Sequence, residues 1–390
     1  MTNSWDKIKT LLVRFKGLTA MGSAYVVSQG ISGLFWLFIA RLLGTEHYGQ
    51  VSYYIAIASI ATTISFLGAG NILIVYTAKG VKIQPTIYFI SLISSAITAI
   101  VLFFMFYDVG VSLFVIGNVA LGLVINELLG LRLYKKYAVY LISQKIIAAG
   151  LAIGLYYIIG INGVILGIAL SFFPSLIRIY QGFKESKIDF SILKSRVGFM
   201  INSYMLDISR ASNGTIDKII VAPMLGFALL GNYQLGVQAM SILTLLPSVA
   251  FQYFLSHDAS GNPNKRLKMI TIILSAVLAI LGITLSPIVF PVLFPKFNEV
   301  IPIVQIMSIS IIPGTINLTY ISKFIGNEKI RTVFIGSLIF LAVQIITIIT
   351  LGKIYGVNGV ATSFVLAVTL ETIYLIIADN FFKKKELSKF

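Results

Sequence analysis

Along the 390-residue chain, apolar residues come in runs of about 20, broken by short clusters of charge. A run of that length crosses roughly 30 Å of hydrocarbon as a helix. The runs show no strict alternation (Met269 to Val292 is a clear case), so they do not read as the strands of a membrane barrel. The pattern predicts membrane helices near 17–40, 49–70, 86–106, 111–131, 138–159 and 162–180, then near 199–222, 229–254, 269–293, 300–322, 332–351 and 357–379. The second and seventh carry the most polar residues. The expected fold is all-α and integral to the membrane, with about 12 transmembrane helices in two six-helix lobes, residues 1–190 and 191–390.

Composition sharpens this. Hydrophobic residues make up 57% of the chain and charged residues 11%, where a soluble domain carries about 25%. A net charge of +16 invites a nucleic-acid reading, which the placement of the charges argues against. Of the 30 Lys and Arg, only Arg41, Lys296 and Lys353 fall in outer segments, and only Lys145, Arg210 and Lys218 within spans. The others fall on one side of the alternating map, the side that carries both ends of the chain. Such a bias over short loops predicts a multi-pass protein of the cytoplasmic membrane with both termini in the cytoplasm. The basic N-terminus and first apolar run resemble a leader, but the run reaches Ala40, too long for a cleaved one. There is no cysteine, so no thiolate metal site and no disulfide. The only histidines, His47 and His257, are expected in loops between the predicted spans. No GxxxxGK[ST] phosphate loop is present.

The halves echo each other. Ala40-Arg41-Leu42-Leu43-Gly44 followed by Gly49 matches Ala222-Pro223-Met224-Leu225-Gly226 followed by Gly231. Gly160-Ile161-Asn162-Gly163-Val164 matches Gly356-Val357-Asn358-Gly359-Val360. Gly and Asn suit tight turns in any case, but both matches fall at equivalent points of the two halves, which favours duplication. With an even number of spans per half, the copies share one orientation, related by a pseudo-two-fold along the membrane normal.

The segments ARLLGTEHYGQVSYYIAIASI, IDKIIVAPMLGFALLGNYQLG and GVNGVATSFVLAV resemble the signatures of Wzx-like polysaccharide and oligosaccharide-lipid flippases, members of the multidrug/oligosaccharidyl-lipid/polysaccharide exporter superfamily. The resemblance implies a two-lobed exporter that opens alternately inward and outward and moves a glycan on a polyprenyl phosphate carrier. Many relatives are longer, so substrate choice does not carry over.

Ionised groups at membrane depth are costly, and each is a functional candidate. On an ideal helix, Ser203, Asp207, Arg210, Gly214, Asp217 and Lys218 share one arc of about 100°, a stripe about 22 Å long. This stripe is expected to line a wet path, although Asp207 and Arg210 can also bridge each other. Asp217 and Lys218 suit a scaffold or gate; the resemblance also implies an acid–base pair there. Glu371 matches Asp207 in depth, so Glu371, Asp207 and Arg210 are expected to cluster in the C-terminal lobe. Together with Asp217, these acids are the candidates for Na⁺ or H⁺ coupling. Glu127 and Lys145 are expected to pair, or Lys145 to meet a phosphate together with Arg210. Arg41 either receives the anion on release or anchors at the interface. Pro247 and Pro313-Gly314 are candidate hinges. The reading is a monomeric flippase for a lipid-linked glycan, with membrane lipid as its other partner and no metal or organic cofactor. A multidrug or organic-cation exporter and an integral membrane glycan-processing enzyme are the alternatives.

Overall fold

The computed structural model of the chain describes the backbone of residues 4–387 apart from 195, 213 and 260–262, and side chains over 22–383 apart from these and 206, 209–212, 252, 256 and 259. Its helices are α1 (Ser4–Phe66), α2 (Ala69–Ala78), α3 (Gln84–Phe106), α4 (Val109–Gly130), α5 (Tyr134–Ile159), α6 (Ile161–Leu170), α7 (Ser175–Glu185), α8 (Phe190–Lys194) and α9 (Val197–Ser212), then α10 (Ile216–Leu225), α11 (Phe227–Leu243), α12 (Leu245–Ala259), α13 (Lys265–Leu293), α14 (Val300–Ser308), α15 (Ile311–Gly326) and α16 (Ile330–Leu387). Among the described residues, seven helices are long and apolar enough to cross a membrane, or nine if the bent pairs α11–α12 and α14–α15 each count as one span. Two of the seven, α1 and α16, are each two helices joined across a glycine with non-helical backbone, Gly44 and Gly356. Dividing them there, and taking α9 with α10, recovers the expected twelve segments.

Spans α3 and α13 show why these helices form and which way they face. Along the middle of α3 the buried positions Ser91, Ser95 and Ala99 are small, while Ile93, Ile97, Ile100 and Phe104 are exposed; nearer its ends Tyr88 and Leu102 are buried too. On α13, Thr271, Ser275, Ala279, Gly282 and Ser286 are buried, while Ile273, Val277, Ile280 and Ile288 are exposed. In lipid, helices associate through small residues that let backbones approach, while bulky aliphatics meet the acyl chains.

Packing divides the chain into two compact units. One is Met1–Phe35 with Ile57–Ala211; the other is Trp36–Ala56 with Ser212–Phe390. These boundaries differ from the expected 190/191 at two places. The first is the glycine crossing. A Cβ on Gly49 would stand 1.9 Å from the carbonyl oxygen of Phe227, and a Cβ on Gly231 would stand 1.9 Å from that of Thr45. Thr45 and Gly49 pair with Phe227 and Gly231 at the repeat offset already read in the sequence, so the contact is reciprocal. This backbone-to-backbone crossing draws residues 36–56 into the second unit.

The second is the seventh span, which is not one straight helix. It ends at Ser212 and restarts at Ile216, with Gly214 at φ +81° between. The Ser-Asn-Gly-Thr sequence there favours a turn over a helix. The expected continuous stripe is therefore broken: Asp207 belongs to the first unit, Asp217 and Lys218 to the second.

The repeats match in conformation as well as sequence. Gly44 has φ 74°, ψ −177° and Gly226 has φ 89°, ψ 165°; Gly160 has φ 71°, ψ −147° and Gly356 has φ 58°, ψ −139°. This region is open in practice to glycine alone, so the same residue recurs wherever the same corner is turned.

Candidate functional site

The first unit carries an open pocket of about 480 Å³, of the size that small ligands occupy, with several polar side chains in an otherwise apolar wall. Its wall is built by spacing. Asn118, Gly122 and Asn126 recur every four residues on α4 and so share a face. Asn71 comes from α2, Thr62 and Thr63 from the end of α1, and Asp207 from α9. The Phe66 ring enters because two residues lack side chains. A Cβ on Gly122 would lie 3.0 Å from the ring, and one on Gly70 would lie 3.1 Å from it.

Hydrogen bonding within this wall is uneven. Asn126 Nδ2 donates to the Gly122 carbonyl (2.8 Å), leaving its oxygen for the cavity. The Thr62 and Thr63 hydroxyls donate back to Ala58 and Ser59 at 2.7 and 3.1 Å. Asn71 and Asn118 make no hydrogen bond to any described residue, so their amides address whatever fills the cavity.

The second unit has a smaller cavity, about 300 Å³, at two helix bends. The α11–α12 junction bends by 51° and the α14–α15 junction by 45°. Thr244 and Pro247 line it from the first bend, Ser310 and Gly314 from the second, and Asp217 and Tyr233 close one side. Proline at the start of α12 and of α15 deprives the preceding turn of a backbone donor, which accounts for both bends. Asp217 is fully engaged: its Oδ2 accepts from the Tyr233 hydroxyl at 2.8 Å, and its Oδ1 lies 3.4 Å from Lys218 Nζ. Lys218 Nζ also donates to the Gly214 carbonyl. This set fastens the break in the seventh span to α11.

The remaining predicted residues fall as follows. Glu127 is fully buried, but its partner is Arg178, not Lys145: Nε and Nη2 of Arg178 donate to its two oxygens at 3.0 and 2.6 Å, and Arg178 also reaches Glu185 at 2.5 Å. Matching depth suggested Lys145, but the helix that lies against Glu127 with a cation is α7. Lys145, half-buried on α5, forms no ion pair among the described residues. Arg41 is exposed, at the end of the first helical segment of α1. The side chain of Arg210 lies outside the described residues. Glu371 is buried in α16, its Oε1 3.5 Å from where a Cβ on Gly336 would stand. It belongs to the second unit and Asp207 to the first. The hydroxyl of the next residue, Thr372, lies 2.7 Å from the Val368 carbonyl of its own helix and 3.0 Å from the Pro313 carbonyl at the bend, and shares its one proton between them.

Sequence reading missed two groups. The Asn118-Gly122-Asn126 face was available from its spacing alone. The buried set in which Asp258 Oδ2 accepts from both Lys268 and Ser322 at 2.5 Å joins three helices and left no local signal.

No curated protein matches the chain in sequence. Solved structures do match in fold. The lipid II flippase MurJ in an inward closed conformation aligns with a TM-score of 0.76 at 14% identity, over 92% of this chain and 87% of that one. A multidrug resistance MATE transporter of the MOP superfamily, facing inward, gives 0.61 at 15% identity, over 94% and 96%. A MOP-superfamily transporter from Pyrococcus furiosus gives 0.55 at 13%, over 94% and 95%. These likenesses establish the all-α, two-lobed membrane fold that the apolar runs and the resemblance led us to expect. The polysaccharide biosynthesis protein family model matches residues 38–255, more than half of the chain, and the chain belongs to that family.

Proposed function

We propose that the protein is a flippase that carries a lipid-linked glycan, assembled on a polyprenyl phosphate, from the cytoplasmic to the outer leaflet by alternating access. The observation that supports this best is the amide-walled cavity of the first unit in a chain of the polysaccharide biosynthesis family. Polar groups within membrane spans are tolerated where they face water or a ligand. We read the protein as a transporter rather than an enzyme, in the cytoplasmic membrane with both termini inside, as the charge bias argues.

In this reading Lys145, a cation without a carboxylate partner among the described residues, meets the carrier phosphate as a point charge. Arg210 follows it, and Arg41 receives the anion on the outer side. Pro247 and the Pro313-Gly314 bend serve as hinges. Glu371 and Asp207 are the candidates for a coupling Na⁺ or H⁺, with Asp217 committed to Lys218 and Tyr233.

A second reading, an organic-cation exporter, is favoured by the ring of Phe66 and the carboxylate of Asp207 in one cavity. Reconstitution separates the two. Proteoliposomes are expected to move a fluorescent polyprenyl-phosphate sugar across the bilayer faster than protein-free vesicles, and Lys145→Gln to slow that movement. Uptake of tetraphenylphosphonium without movement of the sugar lipid establishes the second reading instead.

A further inference from the structure

We infer that the cavity of the first unit is a subsite for an uncharged sugar, in which Asn71, Asn118 and Asn126 read hydroxyl groups against the ring of Phe66 while the carrier phosphate binds elsewhere; this deepens the flippase reading and rests on it.

The donors and acceptors of the wall are the first element. A sugar hydroxyl both donates and accepts, and neighbouring hydroxyls present the two functions side by side. A carboxamide offers the same pair from one planar group. Asn71 and Asn118 hold both functions open to the cavity, and Asn126 holds its acceptor. Thr62 and Thr63 have spent their protons on Ala58 and Ser59, so they too present acceptors. A phosphate has only acceptors, and this wall supplies acceptors in excess of donors.

The ring is the second element. Phe66 is held by contact with Gly122 and lines the same cavity as the amides. A flat apolar face beside hydrogen-bonding amides suits the C–H face of a pyranose. An organic cation would use the ring and Asp207 but leave the amides idle, so the amides discriminate between the two occupants.

The test measures binding to the full-length protein in nanodiscs. The probes are polyprenyl diphosphate bearing a neutral disaccharide, and bare polyprenyl diphosphate. The wild type is expected to bind the glycosylated lipid about tenfold more tightly than the bare carrier, the effect of one or two well-made hydrogen bonds. Asn71→Leu with Asn118→Leu is expected to bind both lipids alike, with affinity for the bare carrier unchanged. Where that variant does not fold, Asn118→Ser keeps a polar wall and is expected to lose part of the preference. A wild type without preference overturns the inference, as does a preference unchanged in folded variants or an equal loss for both lipids. Transbilayer movement is measured separately in liposomes. Preference without movement retains the subsite and ends the flippase reading; movement without preference does the reverse.

Discussion

The two units share a plan and differ at their cavities. In the first, α4 passes the cavity unbroken and the wall carries open amides. In the second, the cavity sits at two bends, and its acid is already bonded to a tyrosine and a lysine. A wall with unspent donors and acceptors suits contact with a ligand; a wall of spent ones, at proline bends, suits movement. The two halves of the chain thus repeat the same glycine corners, and the difference between the units lies in which hydrogen bonds are left unmade.

Four sets of substitutions probe this contrast. The largest effect is expected from Gly231→Leu. It sets a side chain against the Thr45 backbone at a crossing both repeats share. Overpacking against rigid backbone exceeds the usual cost of about 1–3 kcal/mol, so folded protein should be lost on size-exclusion chromatography. Next is Arg178→Gln, which strands the buried Glu127 carboxylate. A loss of about 3–5 kcal/mol should lower the melting temperature in detergent, and Glu127→Gln in the same chain should restore part of it. Third, Pro313→Ala and Pro247→Ala should leave sugar-lipid binding unchanged while slowing transbilayer movement several-fold; equal effects on both would remove the division of labour between the units. The smallest is Gly150→Ala, a helical position with open space around it. It should stabilise by about 0.5–1 kcal/mol, a slight rise in melting temperature that serves as the control for the first.

Much of this was legible in the sequence. The spans were, because apolar runs of one membrane's thickness alternate with basic clusters, and a misplaced span would have scrambled the charge bias. The corners at Gly44 and Gly226 were, because the backbone conformation they adopt is nearly exclusive to glycine. The seventh span was misread because a helical wheel assumes unbroken rotation, and Gly214 interrupts it; on one side of the break Asp207 faces one cavity, on the other Asp217 faces another. Glu127 was matched with Lys145 by similar depth on consecutive helices. Depth along the membrane normal says nothing about which helix is the neighbour, and α7 supplies Arg178 instead. The asparagine face needed only its period of four, but neutral amides draw less notice than charges.

The reciprocal crossing at Gly49 and Gly231 carries a consequence for compensation. A side chain at either position would meet main chain of the facing helix, the Phe227 carbonyl in one case and the Thr45 carbonyl in the other. A clash between two side chains is relieved by trimming one of them, but main chain cannot be trimmed. No second substitution at the facing positions is therefore expected to rescue a larger residue at either glycine.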